Sequence, residues 1–194
     1  FKTMFRNKDV KKLSLAVSLV SISLASEAQR LEEITVIGVV PAGSSIDAAK
    51  LAYPIQTATA DDLDNASILN VADFLRQNFS SVSANDAQNN PMQPDIQYRG
   101  FTASPLLGLA QGLAVYQNGV RINEPLGDTV NWDLLPQSAI QNLSLGGGTN
   151  PLYGLNSLGG ALVIDMKDGF NFEGANLEIS AGSFGRTVSN FEVG

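Results

Sequence analysis

Apolar residues in one segment recur three or four positions apart, which places them on one face of a helix. Asn70 can cap this helix, and Asp73 lies in its first turn, beside the positive end of the helix dipole. Asp61 and Asp62 can cap a shorter helical turn upstream. The pattern predicts two short helices, the second with an apolar stripe that faces a core. That stripe consists of Ile68, Val71, Ala72, Leu75 and Phe79.

Other segments have the alternating or β-branched character of strands. Asn118-Gly119 is typical of a two-residue hairpin turn, because both positions need a positive φ. The polar stretch Phe79–Pro94 lacks periodicity and predicts a loop, whereas Pro136–Ile140 predicts a helical turn. We expect an α+β fold, in which a small mixed sheet packs with short helices. The predicted strands are Asp95–Arg99, Leu113–Gln117, Val120–Ile122, Gln141–Leu145 and Ala161–Met166.

The composition excludes several classes of function. The chain has 194 residues, a formal net charge of −7, no His and no Cys. A nucleic-acid-binding protein normally carries a basic patch, so the negative balance argues against that class. Serine–histidine and cysteine–histidine hydrolases are excluded, as is nearly every structural zinc site. A binding, transport or structural protein remains, or an enzyme built on carboxylates.

The N-terminal segment has the pattern of a secretory signal peptide. Residues 1–28 carry an excess of basic side chains, all of them before residue 13. The apolar run Leu13–Leu24 and the stretch Ala25–Ala28 come after these basic residues. This run is too short to span a bilayer, which needs about 20 residues. We predict export of the chain and cleavage after Ala28.

The residues that follow predict an extended segment on a tether. Leu31–Gly38 is rich in β-branched residues and is bounded by Gly38 and Pro41, which favours a short strand. Val39–Lys50 is rich in Ala, Gly and Ser, as tethers often are. Such a strand can be a plain edge strand, or it can add to the edge of another protein's sheet.

Three motifs that suggest chemistry fail on inspection. Gly146–Gly148 lacks the Gly-Lys-Ser/Thr of a phosphate loop. Asp61–Asp64 lacks the glycine and glutamate of a calcium loop. Ser157 has no histidine to activate it. The sequence therefore predicts no catalytic centre, no metal site and no cofactor.

The order of six short motifs, taken with the signal peptide, resembles the plug domain of TonB-dependent outer-membrane receptors. The resemblance extends from Glu32 to about Asp168, and the order carries it, since each motif alone is weak. The motifs are Glu32–Gly38, Asn70–Leu75, Tyr98–Phe101, Tyr116–Val120, Asn150–Gly154 and Leu158–Ile164.

The resemblance implies an importer whose plug lies inside a β-barrel of about 22 strands. It assigns the TonB box to Glu33, Ile34, Thr35, Val36 and Ile37. TonB would engage this box and transmit energy from ExbB and ExbD in the inner membrane. The ligand would rest on outward loops, here Ala87–Gln93, Thr102–Gly112 and Asn123–Asp133, of a receptor in the outer membrane of a Gram-negative cell. Candidate ligand contacts are Asn90, Gln111, Asp128, Asn131 and Trp132.

The chain departs from the family pattern before its Leu-Tyr-Gly motif. Family members usually carry a Val-x-Arg-Gly-Pro run there, whose arginine takes part in polar contacts between plug and barrel. Gly146–Asn150 stands in its place without a basic residue. Arg99 is left as the plug arginine that matches the pattern, and we expect it to contact the barrel.

The C-terminal segment alternates as membrane strands do. Leu177, Ile179 and Ala181 alternate with polar residues, and Thr187–Val193 continues the pattern after a short turn. Because two strands cannot close a barrel, we expect a receptor that is truncated early in its barrel. The predicted organisation is a signal peptide over 1–28, box and tether over 29–50, plug over 51–170 and the start of an antiparallel transmembrane β-barrel over 171–194.

We interpret the sequence as a plug that takes part in active import of a small-molecule nutrient. Siderophore, cobalamin, carbohydrate and peptide ligands all remain open. Two alternatives come from other classes: a soluble periplasmic ligand-binding module that shares the plug pattern, and a carboxylate-dependent hydrolase of the cell envelope.

Overall fold

The computed structural model describes residues 36–38, 45–47, 53–66, 68, 70–86, 89–170 and 172–194. The predicted signal peptide and Glu33–Thr35 of the predicted box lie outside the described residues. Twelve strands and two α-helices occur in the part that is described. They are β1 (Val36–Gly38), β2 (Ser45–Asp47), β3 (Ile55–Thr59), α1 (Ala60–Asn65), α2 (Val71–Asn78), β4 (Val82–Asn85), β5 (Asp95–Tyr98), β6 (Phe101–Ala103), β7 (Leu113–Gln117), β8 (Val120–Arg121), β9 (Ile140–Gly147), β10 (Gly160–Met166), β11 (Ala175–Ala181) and β12 (Thr187–Val193).

The main sheet has five strands in the order β3-β9-β10-β7-β8. β10 and β7 are parallel and the other neighbours are antiparallel. This mixed sheet with short helices confirms the predicted fold class. The β7–β8 turn is the predicted hairpin, with positive φ at Asn118 (48°) and Gly119 (77°). A second, antiparallel sheet contains β4, β5 and β6.

The larger core lies between one face of the main sheet and the helices. Leu143, Leu145, Leu162 and Ile164 of β9 and β10 belong to this core, and the apolar stripe of α2 belongs to the same buried cluster. Asn70 caps α2, accepting a hydrogen bond from the Asp73 N–H at 2.9 Å, as predicted. The opposite face carries a smaller cluster, whose members are Ala114, Tyr116, Tyr153, Ala161 and Val163.

Three local expectations differ from the structure. β4 lies inside the segment predicted as a loop: Val82 and Ala84 pack on the core and alternate with exposed polar residues, but the alternation covers only four residues of a long polar stretch. β3 carries no clear apolar period and had no predicted counterpart. The N-cap residue of helix α1 is Thr59, upstream of both expected aspartates, and of these Asp62 takes part in the cap: its carboxylate accepts hydrogen bonds from the Thr59 N–H and hydroxyl, both at 2.9 Å.

The β5–β6 turn packs against three glycines at the strand ends of the main sheet. A Cβ atom added at Gly112 would lie 2.7 Å from the Phe101 ring, and one at Gly147 would lie 2.8 Å from Arg99 Nη1. A Cβ atom at Gly159 would overlap the Cβ atom of Phe101. The two sheets approach closely because these positions carry no side chain.

Residues 36–38 of the predicted box form a strand with the chain itself. β1 pairs antiparallel with β2, with Val36 opposite Asp47 and Ile37 opposite Ile46. The sequence predicts that Ile34–Ile37 is disordered or loosely held without TonB, and two residues of that segment, Val36 and Ile37, pair with β2. The β-branched residues favour extended backbone, and Ser45–Asp47 supplies the neighbouring strand.

The C-terminal strands form an antiparallel hairpin, β11–β12, over seven residue pairs. An ion pair links this hairpin to the end of β10: Lys167 Nζ lies 2.9 Å from Glu192 Oε2, with side-chain exposures of 10% and 15%. The Lys167 ammonium also lies 5.0 Å from the centre of the Phe172 ring. Apolar side chains such as Leu177 and Ile179 remain exposed on the hairpin.

We predict that Gly159→Ala destabilises the chain by about 1–3 kcal/mol, because the added methyl group forces Phe101 or its strand to move. Urea unfolding measures the change. Gly169→Ala is the matched control, since a Cβ atom there meets nothing within 4 Å. Equal stabilities of the two variants would contradict the close packing of the β5–β6 turn on the main sheet.

A second prediction concerns Asp165 in β10, where burial raises the pKa of the carboxyl group. The ionised form then costs folding stability at neutral pH, and this cost disappears as the pH falls through the folded-state pKa towards the unfolded value near 3.9. Asp165→Asn should be more stable than the parent at pH 8, with a difference that shrinks towards pH 4. Urea unfolding across this range measures it, and a difference that grows at low pH would contradict the assignment.

Candidate functional site

Three loops join the main sheet at one edge, which is formed by the ends of its strands and not by an outer strand. β7 and β10 are parallel and pair at their first residues, Leu113 with Gly160, so the loops that lead into them meet there. β9 ends at the same edge, because Gly147 pairs with Gly160. β8 runs antiparallel to β7, so the loop that follows it also begins there. We call these loops, residues 104–112, 123–131 and 148–159, the loop crest.

Ser104 joins the first two loops of the crest. Its carbonyl oxygen accepts a hydrogen bond from the Val130 N–H at 2.9 Å, and its N–H donates to Gln111 Oε1 at 2.8 Å. The Gln111 amide also donates to the carbonyl oxygens of Ser104 (3.4 Å) and Leu106 (3.3 Å). The fully buried Ser104 hydroxyl donates to the Asp95 carboxylate. Gln111, a predicted ligand contact, therefore fixes the shape of the first loop.

Arg121 and Asp128 join the second and third loops. Arg121 Nη2 lies 3.1 Å from Asp128 Oδ1, and Arg121 Nη1 donates to the Leu155 carbonyl oxygen at 2.6 Å. Asn156 Nδ2 donates to the second oxygen of Asp128 at 2.8 Å. The carboxylate of Asp128, a predicted ligand contact, is thus engaged by Asn156 of the crest and by Arg121 at the base of the crest.

Asn123 anchors the second loop to the main sheet. It is buried; its Oδ1 accepts hydrogen bonds from the Val115 N–H at 2.8 Å and Arg121 Nε at 3.2 Å. Its Nδ2 donates to the carbonyl oxygens of Leu113 and Asp128, both at 3.2 Å. The Asn123 side chain therefore makes the hydrogen bonds to β7 that a neighbouring strand would make if β8 continued.

The remaining predicted contacts lie in different settings. Asn131 is on the crest, and its Nδ2 donates to Glu124 Oε1 at 3.2 Å. Asn90 lies outside the crest, in an exposed turn where its Oδ1 accepts from the Met92 N–H at 3.1 Å. Trp132 is buried in the larger core, and its Nε1 donates to the Ala103 carbonyl oxygen at 3.2 Å. Because its ring packs in the core and its N–H is already hydrogen-bonded, we do not include Trp132 among the ligand contacts proposed below.

Sequence reasoning did not single out Ser104, Arg121 or Asn123. Arg121 and Asp128 are seven residues apart around a Pro and a Gly, a spacing that could have suggested an ion pair closing a loop. Ser104 and Asn123 are short polar residues that give no such signal.

Arg99 occupies the β5–β6 turn in a left-handed conformation, with φ of 52° followed by φ of 86° at Gly100. Non-glycine residues rarely adopt this region, and Asn is far more usual there. The Arg99 guanidinium lies 5.1 Å from the centre of the Tyr98 ring. The turn thereby presents an exposed cation at a fixed place beside Gly147.

Two tyrosines cover Gly146, the first residue of the run that departs from the family pattern. A Cβ atom at Gly146 would lie 3.0 Å from the Tyr153 hydroxyl and 3.3 Å from the Tyr53 ring. The two hydroxyl groups are 3.0 Å apart, and Tyr116 donates to the Tyr153 carbonyl oxygen at 2.8 Å. Burial, followed by the hydrogen bond to Tyr53, raises the pKa of Tyr153. A side chain at Gly146 would need the space that these rings fill.

Within the described ranges, no group of three or more His, Cys, Asp or Glu side chains is arranged to hold a metal ion. The helices of that same part of the chain are all too short or too polar to cross a membrane.

The model of the TonB-dependent receptor plug domain family matches residues 47–161, and the chain belongs to this family. The family is one of receptors, in agreement with the resemblance of the six motifs. No curated protein sequence matches the chain.

Several solved receptors share the fold. The pyoverdine outer membrane receptor FpvA from Pseudomonas aeruginosa PAO1 has a TM-score of 0.58 at 15% identity, covering 76% of this chain and 20% of that one. The ferric-catecholate import receptor Fiu from E. coli K12 has 0.56 at 15%, covering 81% and 20%. The ferric yersiniabactin uptake receptor FyuA from Yersinia pestis has 0.52 at 18%, covering 72% and 21%. The chain thus spans about a fifth of the length of these receptors.

We predict that Arg121→Met loosens the second and third loops while the core persists. Loss of three hydrogen bonds from a charged group should lower stability by about 2 kcal/mol. Amide hydrogen exchange should rise at residues 123–131 and 154–157. Arg76→Met, which removes an exposed pair with Asp73 within α2, is the control and should cost less than about 0.5 kcal/mol. Unchanged exchange in both loops would contradict the role of Arg121.

Proposed function

We propose that this chain is the plug part of an outer-membrane receptor that binds an extracellular nutrient and imports it with energy transmitted by TonB. Membership of the plug family over residues 47–161 carries this proposal. The predicted signal peptide supports export, and the alternating hairpin β11–β12 supports continuation into a membrane-spanning barrel. The domain limits remain those proposed from the sequence: 29–50 for box and tether, 51–170 for the plug and 171–194 for the start of the barrel.

The proposed ligand surface is the loop crest together with the exposed turn at Asn90. Gln111, Asp128 and Asn131 lie in loops that hydrogen bonds hold in place. A pre-formed surface is favourable for binding, since little conformational entropy remains to be lost. FyuA is named for ferric yersiniabactin, Fiu for ferric catecholate and FpvA for pyoverdine, and for this chain the ligand class is argued separately below.

Arg99 is the proposed contact between plug and barrel. Its guanidinium is exposed, and its position is fixed by the tight turn and by the Tyr98 ring. A carboxylate on the barrel wall is the natural partner of such a group, because Arg can pair with it through two parallel hydrogen bonds.

The proposed TonB box is Glu33–Ile37, and its proposed partner is TonB, acting with ExbB and ExbD. Pairing of Val36–Gly38 with β2 supports the strand character that addition to another sheet requires. The box would face the periplasm, and release from β2 would precede pairing with TonB. No enzymatic step is needed for this function, and a soluble periplasmic binding module is the alternative.

We predict that Ile34→Pro and Val36→Pro each abolish energised uptake in the full-length receptor. Proline removes a backbone donor and fixes φ near −65°, which damages strand pairing. Ligand binding at the cell surface should stay nearly unchanged. Uptake and surface binding of the ligand by intact cells measure the two effects, and Ile34→Val and Val36→Ile are the matched controls.

Normal uptake by both proline variants would contradict the assignment of Glu33–Ile37 as the TonB box. Loss of surface binding as well would place the segment in the plug fold instead. A soluble module would bind ligand without a barrel, so the gene sequence beyond Gly194 discriminates the two functions: several hundred further residues of alternating strands support the receptor.

A further inference from the structure

Exposed leucines are concentrated on the loop crest. Leu107 in the first loop, Leu126 in the second and Leu155 in the third are 67%, 79% and 87% exposed. Isolated exposed leucines are ordinary, but a contiguous apolar patch usually marks a binding surface.

Contacts between the loops bring these leucines together. A Cβ atom at Gly127 would lie 2.7 Å from Leu107 Cδ2, so Leu107 packs beside the residue that follows Leu126. Asp128 comes next in the chain and binds Asn156, the neighbour of Leu155. The three leucines therefore surround one junction, at Asp128, where all three loops meet.

The charged residues of the crest are all acidic. Residues 104–112, 123–131 and 148–159 contain no Lys or Arg, and their two charged residues are Glu124 and Asp128. Asp128 is paired with Arg121 at the base of the crest. Glu124 is exposed, and the partner its carboxylate has within the described chain is the neutral amide of Asn131.

An anionic ligand would be poorly served by this surface. Transfer of a negative group from water onto leucine side chains costs free energy unless a cation receives it. Arg121 is already engaged by Asp128, and the exposed Arg99, which lies beside Gly147 next to the third loop, is the group assigned above to the barrel. Charge complementarity therefore favours a ligand without negative charge at the contacting face.

We infer that the loop crest binds a ligand through an apolar face that is neutral or positively charged, with the leucines supplying the contact area and Glu124 receiving a polar or cationic group at its edge. This inference rests on the proposed function, whose ligand class it narrows. The hydrogen bonds of Ser104, Arg121 and Asn123 hold the leucines in position before the ligand arrives.

Two fluorescent dyes test the inference on the 194-residue chain. N-phenyl-1-naphthylamine is neutral, and 8-anilino-1-naphthalenesulfonate has the same aromatic skeleton with one added sulfonate. The combined variant Leu107→Asn, Leu126→Asn and Leu155→Asn defines the binding that depends on the crest. We expect this crest-dependent binding to favour the neutral dye by about fivefold or more at low salt, from one unfavourable charge contact.

The matched control is the exposed hairpin β11–β12. Leu177→Asn with Ile179→Asn should leave the crest-dependent binding within about twofold of the parent, as expected for substitutions without shared contacts. The inference is overturned if the anionic dye binds the crest as tightly as the neutral one, or if the three crest substitutions leave neutral-dye binding unchanged. The single variants Leu126→Asn and Leu155→Asn decide the matter if far-ultraviolet circular dichroism finds the combined variant unfolded.

A thiol reaction tests the charge of the crest independently. The chain has no Cys, so Leu126→Cys introduces a unique thiol. Relative to 2-mercaptoethanol, this thiol should react faster with a cationic methanethiosulfonate than with an anionic one, and the preference should fall as salt is added. The reverse preference would overturn the inference. Neither assay involves uptake or TonB, so either result is distinguishable from failure of the proposed import function.

Discussion

The close approach of the β5–β6 turn to the main sheet is the contact on which the rest of the structure depends. Phe101 lies where side chains at Gly112 and Gly159 would otherwise be, and Arg99 and Tyr98 lie against Gly147. Gly112 and Gly159 are the last loop residues before β7 and β10, and Gly147 is the last residue of β9, so all three lie where the crest loops join the sheet. Any side chain that lifted the turn would also displace the bases of those loops. The packing of one hairpin thus sets the geometry of the candidate binding surface.

Above this contact, the crest is held by polar side chains rather than by a core of its own. Arg121 bonds to Asn123, Asp128 and the Leu155 carbonyl oxygen, and Ser104 bonds to Val130 and Gln111. Such bonds satisfy the backbone and side-chain groups that loops cannot pair in a sheet. The leucines can remain exposed because the loops do not need them for their conformation. Rigidity and exposed apolar surface are therefore separate properties of this crest, carried by different residues.

The sequence predicted the elements whose signals are local. Asn118-Gly119 specifies its turn by conformation, Asn70 specifies a cap, and the stripe of α2 specifies a buried face, and each occurs as predicted. β3 was missed because pairing with β9, not an apolar period, makes it a strand, and β4 was missed because its alternation covers only four residues of a polar stretch. Trp132 was predicted on a loop but begins a short 3-10 helix, Trp132–Leu134, and its burial beside β6 could not be found from spacing. At the polar junction, Asn156 binds Asp128 over 28 positions and Arg121 binds the Leu155 carbonyl oxygen over 34, and a single sequence carries no signal for such pairs.

The β1–β2 pair changes the energetic problem that the proposed box must solve. If the box were unpaired, its backbone groups would be bonded to water, and each hydrogen bond to a partner strand would be an additional bond within protein. Since Val36–Gly38 already pairs with Ser45–Asp47, a partner exchanges one set of backbone bonds for another. The net gain must then come from a longer ladder or from side-chain contacts. The pair spans three residues on each strand, and a short two-stranded ribbon is marginally stable in water. A partner sheet that engages all of Glu33–Ile37 offers a longer ladder than β2 provides, and on this ground the exchange favours the partner.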